Sequence, residues 1–147
     1  MKPDRSYRRD DAARAQLVEE DLTRKIIGAF YELYNALGFG FLESICKRAL
    51  EIALRERGLA VDRQFPVEIF FHGHQLAAQR IDMFVERRVI VEVKASQRLV
   101  DADRRQLMNY LTAMNIEVGL LLHFGPKADF KRVLGGWKPG SKRNDQK

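Results

Sequence analysis

Arg80-Ile-Asp-Met-Phe-Val-Glu-Arg-Arg-Val-Ile-Val-Glu-Val-Lys-Ala95 is the stretch on which the fold turns. Two apolar runs flank Glu86-Arg87-Arg88, the pattern of two strands joined by a tight hairpin. Val89 to Ala95 reads as a central strand, yet Glu92 and Lys94 interrupt it. Burying a charge is costly unless it is paired or bound to a metal. The two residues have the same parity and therefore project from one face. Asp82 joins them only under one register. A three-residue loop (Glu86 to Arg88) places Asp82 opposite Glu92, with Cβ atoms about 5 Å apart. A two-residue loop at Arg87-Arg88 turns Asp82 to the other face, unless a bulge corrects it. Two carboxylates at that separation suit a hard divalent cation, Mg²⁺ or Mn²⁺, which takes oxygen ligands and keeps several waters. Lys94 beside them is placed to hold an attacking water or a phosphate oxygen. The same spacing also fits an ion pair of Lys94 with Asp82 or Glu92 near the end of a sheet, and spacing alone leaves both readings open.

Outward from this hairpin the period of the apolar residues changes. On the N-terminal side, Leu22, Ile26, Phe30, Leu33 and Leu37 fall at helical spacing that ends at Gly38. Gly38-Phe-Gly40 separates this helix from a second, from about Phe41 to Arg57, which carries Leu42, Ile45, Cys46, Ala49, Leu50 and Ala53 on one face and stops at Gly58. Phe65-Pro-Val-Glu-Ile-Phe-Phe71 is aromatic and β-branched, and His72-Gly-His74 reads as the turn into a strand from Leu76 to Val85. On the C-terminal side, residues from about Val100 to Met114 return to helical spacing. Val118 to Phe124 is a nearly continuous apolar run, suited to a strand covered on both faces. A short strand is expected at Phe130 to Leu134. The order α, then α-β-β-β-α-β, predicts an α/β fold with a mixed central sheet and helices on its faces.

The chain has 147 residues, enough for one domain with a substantial core. We read 1–16 as a disordered polar tail, 17–134 as the domain and 135–147 as a basic tail. With 46% apolar residues the chain is not mainly disordered. The lone Cys46 excludes an intramolecular disulfide or a thiolate zinc cluster. The apolar runs are too short to span a bilayer and the N-terminus has no apolar stretch like that of a signal peptide, so no membrane partner and a cytoplasmic location are expected. The net charge of +6 suggests a polyanion partner, but its position weakens that inference. Seven Lys and Arg from Lys127 to Lys147 face only Asp129 and Asp145, and the rest of the chain is close to neutral. Such a tail can contact phosphates, and it also fits a solvated, frayed terminus.

Three further polar residues stand out. Glu43 begins the second helix directly after the glycine break, where the helix dipole favours a carboxylate. Gln106 and Tyr110 are four apart and share a helix face. Of the histidines, His72 and His74 flank a turn glycine, and His123 lies near the end of an apolar strand. We assign none of the histidines to a metal.

Gly40-Phe-Leu-Glu43, Arg80-Ile-Asp82, Glu92-Val-Lys94 and Gln106-Leu-Met-Asn-Tyr110, in that order, resemble the motif set of the PD-(D/E)XK nuclease superfamily, in particular its QxxxY-motif branch. Leu37 to Ser44 and Ile81 to Phe124 look like the small bacterial GxxExxY proteins, and the likeness runs from about Leu22 to Leu134. The resemblance implies a restriction-endonuclease-like αβββαβ core with an extra N-terminal helix. By motif position it implies Asp82, Glu92 and the Val93 carbonyl as metal ligands, Lys94 as the catalytic lysine and Glu43 as a ligand directly or through water. Gln106 would orient Lys94 or the phosphate, and Tyr110 would support Gln106 or contact the nucleic-acid backbone. The narrow motif's Tyr is replaced by Cys46, read as packing, and the glycine often found before the Asp-bearing segment is replaced by Ala77-Ala-Gln-Arg80. The function expected is a Mg²⁺-dependent phosphodiesterase acting on DNA, with a partner protein or a homodimer as further candidates for completing a DNA channel. The alternative is a catalytically silent binding or scaffold module.

Overall fold

The structure is a computed structural model and describes residues 19–135; the two expected tails lie almost wholly outside them. Its elements are helices α1 (Glu20–Leu37) and α2 (Glu43–Glu56), strands β1 (Val61–Phe71), β2 (His74–Val85) and β3 (Val89–Lys94), helix α3 (Asp101–Met114), and strands β4 (Val118–Phe124) and β5 (Ala128–Leu134). They form one five-stranded sheet in the order β1-β2-β3-β4-β5. β3 and β4 are parallel, as the α3 crossover requires, and the other neighbours are antiparallel. The α/β class, the mixed sheet and the αβββαβ order are those read from the sequence. The last strand begins at Ala128, two residues earlier than expected.

Helices cover both faces of the sheet, so there are two cores. On one face Leu22, Ile26, Phe30, Leu50 and Leu54 of α1 and α2 pack on Met83, Val91, Val93, Leu120, Leu122 and Phe124. On the other, Leu107, Tyr110 and Leu111 of α3 pack on Ile81, Phe84, Ile90, Leu121 and Val133. β4 is buried along its whole length because both layers press on it. Gly119 makes the α3 side possible: a Cβ there would lie 2.8 Å from Leu107 Cδ1. Tyr34 fastens α1 to the far end of β4 by donating to the Gly125 carbonyl at 2.6 Å.

Strand β1 starts at Val61, four residues before the sequence signal at Phe65. Asp62, Arg63 and Gln64 lack the apolar alternation that marks a strand, and electrostatics fixes them instead. Arg63 reaches Glu51 of α2 at 2.8 Å, and Asp62 pairs with Arg87 in the next hairpin. Gln64 is left-handed, with φ 48°. At this point the hairpin exchanges faces. Val61 and Met83 point to the α1/α2 core, whereas Val67 and Ile81, of the same parity, belong to the α3 core. Arg63 pairs with Met83 and Phe65 with Ile81, but the intervening Gln64 and Asp82 do not pair. The local reversal frees the backbone of Asp82 from the β1 ladder. Among the described residues no helix is long and apolar enough to cross a membrane.

Candidate active site

The hairpin register meets the condition set by the sequence. Val85 pairs with Val89, Phe84 with Ile90 and Met83 with Val91, leaving Glu86 to Arg88 as a three-residue loop. The next positions in that register are Asp82 and Glu92, and there the backbone ladder stops. Side chains take over the hydrogen bonds. Asp82 N–H donates to Glu92 Oε1 at 3.2 Å, and Val93 N–H donates to Asp82 Oδ2 at 2.8 Å. β2 has turned toward β1 while β3 stays paired with β4 as far as Lys94 and His123. The two carboxylates thus occupy the fork where the strands part. One residue's N–H and C=O point to the same edge of an extended strand, so the Val93 carbonyl faces the same fork.

Both carboxylates are nearly excluded from water, Asp82 at 8% and Glu92 at 5% exposure. Burial, followed by the charge of Asp82 and a hydrogen bond with it, pushes the Glu92 carboxyl up from 4.5 to about 8; Lys94 and the Asp82 backbone pull weakly the other way. Glu92 is thus a buried acid whose ionised form a nearby cation would favour.

Glu92 and Lys94 project to the side opposite Val91 and Val93, toward α3. Lys94 Nζ lies 4.0 Å from Asp103 Oδ1, so its ion pair is with α3 and not with Asp82 or Glu92. Asp103 is held by the helix start, where its Oδ2 accepts from Val100 N–H at 3.0 Å. Tyr110 is 4% exposed. Burial and the charges of Glu92 and Asp82 raise its hydroxyl above the usual range, while a hydrogen bond with Gln106 lowers it. Gln106 is exposed at the rim and Tyr110 lies beneath it in the core.

Glu43 enters from the other layer. Gly38 and Gly40, at φ 74° and 113°, turn the chain so that α2 starts at Glu43. Its Oε1 accepts from Ala95 N–H at 3.4 Å, just past the end of β3. Its Oε2 is 3.3 Å from Lys47 Nζ, and that ammonium is 2.7 Å from Asp82 Oδ1. Glu43 is therefore joined to Asp82 through a lysine. Lys47 was not among the residues that the sequence singled out; its one signal was the i,i+4 spacing from Glu43, which puts both on one helix face. Burial lowers the Lys47 ammonium and its contacts with Asp82 and Glu43 more than reverse this, so that it rises above its ordinary value.

The hard oxygen donors of Asp82, Glu92 and the Val93 carbonyl suit a divalent cation, which proteins commonly hold by one or two carboxylates plus waters. Among the described residues no three acidic, His or Cys side chains converge as a ready metal cluster, since Glu43 is turned to Lys47 and Ala95. Cys46 is 1% exposed in the α1/α2 core, and burial raises its thiol, with Glu43 adding to the effect. His123 is buried, with its Nε2 donating to the Ser96 carbonyl at 2.8 Å. A third buried acid, Glu51, not singled out by the sequence, is ringed by Arg48, Arg55 and Arg63 and ties α2 to β1.

The family model of the PD-(D/E)XK nuclease superfamily matches residues 20–133, and the chain belongs to that superfamily. Its members generally use divalent metal ions. The crystal structure of SSO0001 is similar, with a TM-score of 0.54 at 20% identity over 85% of this chain and 63% of that one. At that identity the likeness concerns the fold alone, and this chain spans less than two thirds of SSO0001. No curated protein matches the chain.

Proposed function

We propose that the protein is a divalent-metal-dependent nuclease that hydrolyses phosphodiester bonds in DNA. The observation that supports this reading most is the pair Asp82 and Glu92, buried and cross-bonded at the β2–β3 fork, with Lys94 on the same strand face as Glu92. Asp82, Glu92 and the Val93 carbonyl would hold Mg²⁺ or Mn²⁺, with Glu43 contributing directly or through water. When bound, the cation supplies charge that offsets the scissile phosphate and lowers the pKa of water. Lys94 directs its ammonium at the attacking water or at a phosphate oxygen, and its charge opposes the one that develops as the bond breaks. Gln106 orients Lys94 or the phosphate from the rim of α3, and Tyr110 holds Gln106 from below. Phe39 and Phe41, both 45% exposed, lie four and two residues before Glu43 and offer faces on which unpaired bases stack.

The test is cleavage of single- and double-stranded DNA in Mg²⁺ or Mn²⁺ by the native protein and by Asp82→Ala and Lys94→Ala. Cleavage is expected from the native protein and absent in both variants, with their circular dichroism unchanged. Cleavage that survives both substitutions overturns the proposal. The second reading, a binding module without turnover, is favoured by one feature: Lys47 already neutralises Asp82 and Glu43. On that reading the native protein binds DNA and leaves it intact in every metal.

A further inference from the structure

Lys47 stands one turn after Glu43 on α2 and reaches across to β2, the ammonium lying 2.7 Å from Asp82 Oδ1 and 3.3 Å from Glu43 Oε2. The other Asp82 oxygen is taken by the Val93 N–H. Oδ1 is therefore the Asp82 oxygen without a backbone partner, and a lysine already holds it. A divalent cation lies about 2 Å from a carboxylate oxygen. An ammonium on that same oxygen would then face a double positive charge at contact range, which repels strongly in a site this dry. The lysine can leave. Its side chain is 26% exposed, and its flexible stem can carry the charge out to water.

We propose that Lys47 is a built-in counter-ion that a divalent cation displaces from Asp82 and Glu43, so that Lys47 sets the affinity of the site for metal. This rests on the metal site proposed above. In the metal-free protein the lysine balances two acids that would otherwise repel. On metal binding it gives up Asp82, and Glu43 is released to turn toward the fork. The lysine thus sets a threshold, so that the site fills only where the cation is concentrated enough to compete.

The experiment is calorimetric titration of Mn²⁺ into the native protein, Lys47→Met, Lys47→Gln, Lys47→Arg and Asp82→Ala. A charge-assisted hydrogen bond of the kind that Lys47 makes corresponds to roughly a ten- to hundredfold competition. Lys47→Met and Lys47→Gln are therefore expected to bind Mn²⁺ tighter by about that factor, with Lys47→Arg close to native and Asp82→Ala without binding. Melting gives a second readout: in EDTA Lys47→Met unfolds at a lower temperature than the native protein, and Mn²⁺ raises it by more. An affinity in Lys47→Met equal to or weaker than native, alongside loss in Asp82→Ala, overturns the counter-ion proposal and leaves the metal site standing. No binding by any of the proteins, or native binding by Asp82→Ala, overturns both.

Discussion

Glu92→Gln is the substitution whose effect can be worked out furthest from the structure. Burial first, and the Asp82 charge second, hold the Glu92 carboxyl at about 8 against an ordinary 4.5. A carboxyl whose pKa is higher in the folded than in the unfolded chain favours folding while it is protonated. Its contribution is therefore complete below about pH 4.5 and is lost as the pH rises through about 8. At about 1.4 kcal/mol per pH unit, the full loss is on the order of 5 kcal/mol, a large share of a typical domain stability of about 5–15 kcal/mol. The substituted amide cannot ionise, and its carbonyl oxygen still accepts the hydrogen bond that Asp82 N–H now donates to Glu92 Oε1. Urea unfolding in EDTA, followed by circular dichroism near pH 5 and near pH 8, compares the two proteins while other titrating groups cancel. The variant's advantage is expected to grow by about 4 kcal/mol across that interval. Saturating Mn²⁺ should restore the native protein near pH 8 and help the variant much less. Stabilities that run parallel with pH would refute the reasoning, because Glu92 would then bear no excess cost of ionisation.

Gln106→Ala should lower kcat on DNA at least about tenfold while leaving melting and Mn²⁺ affinity unchanged, since the exposed amide bonds Tyr110 and stands outside the proposed ligand set. Glu51→Ala should destabilise the fold by about 2 kcal/mol or more, measured by urea unfolding, because three arginines lose a buried acceptor that anchors α2 to β1. Phe39→Ala with Phe41→Ala should weaken binding of a single-stranded oligonucleotide by about 1–3 kcal/mol per lost stack, read by fluorescence anisotropy, with a smaller effect on duplex.

Much of the fold was legible because two periods alternate cleanly along the chain. Val118 to Phe124 has no polar face, and the structure covers it on both sides. The hairpin from Arg80 to Ala95 carried both the fold and the acidic pair, since one loop length decides whether Asp82 meets Glu92. What the sequence concealed lies where electrostatics replaces apolar patterning. Asp62, Arg63 and Gln64 form strand because Glu51, Arg87 and the ladder with β2 hold them, and no local signal announces those partners. The exchange of faces at Gln64 and Asp82 defies simple alternation, so parity alone would put Val67 on the wrong core. Lys47 reads as an ordinary solvated lysine on a helix, and becomes part of the site only because α2, packed against β1 and β3, brings its ammonium to Asp82. Cys46, in contrast, was legible as packing from its place on the apolar face.

The most direct measurement is an anomalous difference map from a crystal grown in Mn²⁺. A single strong peak is expected in the β2–β3 fork, within bonding distance of Asp82, Glu92 and the Val93 carbonyl, with Lys47 withdrawn from Asp82. A map with no peak at the fork, and Lys47 still seated on Asp82 at saturating Mn²⁺, would contradict the metal-dependent nuclease reading.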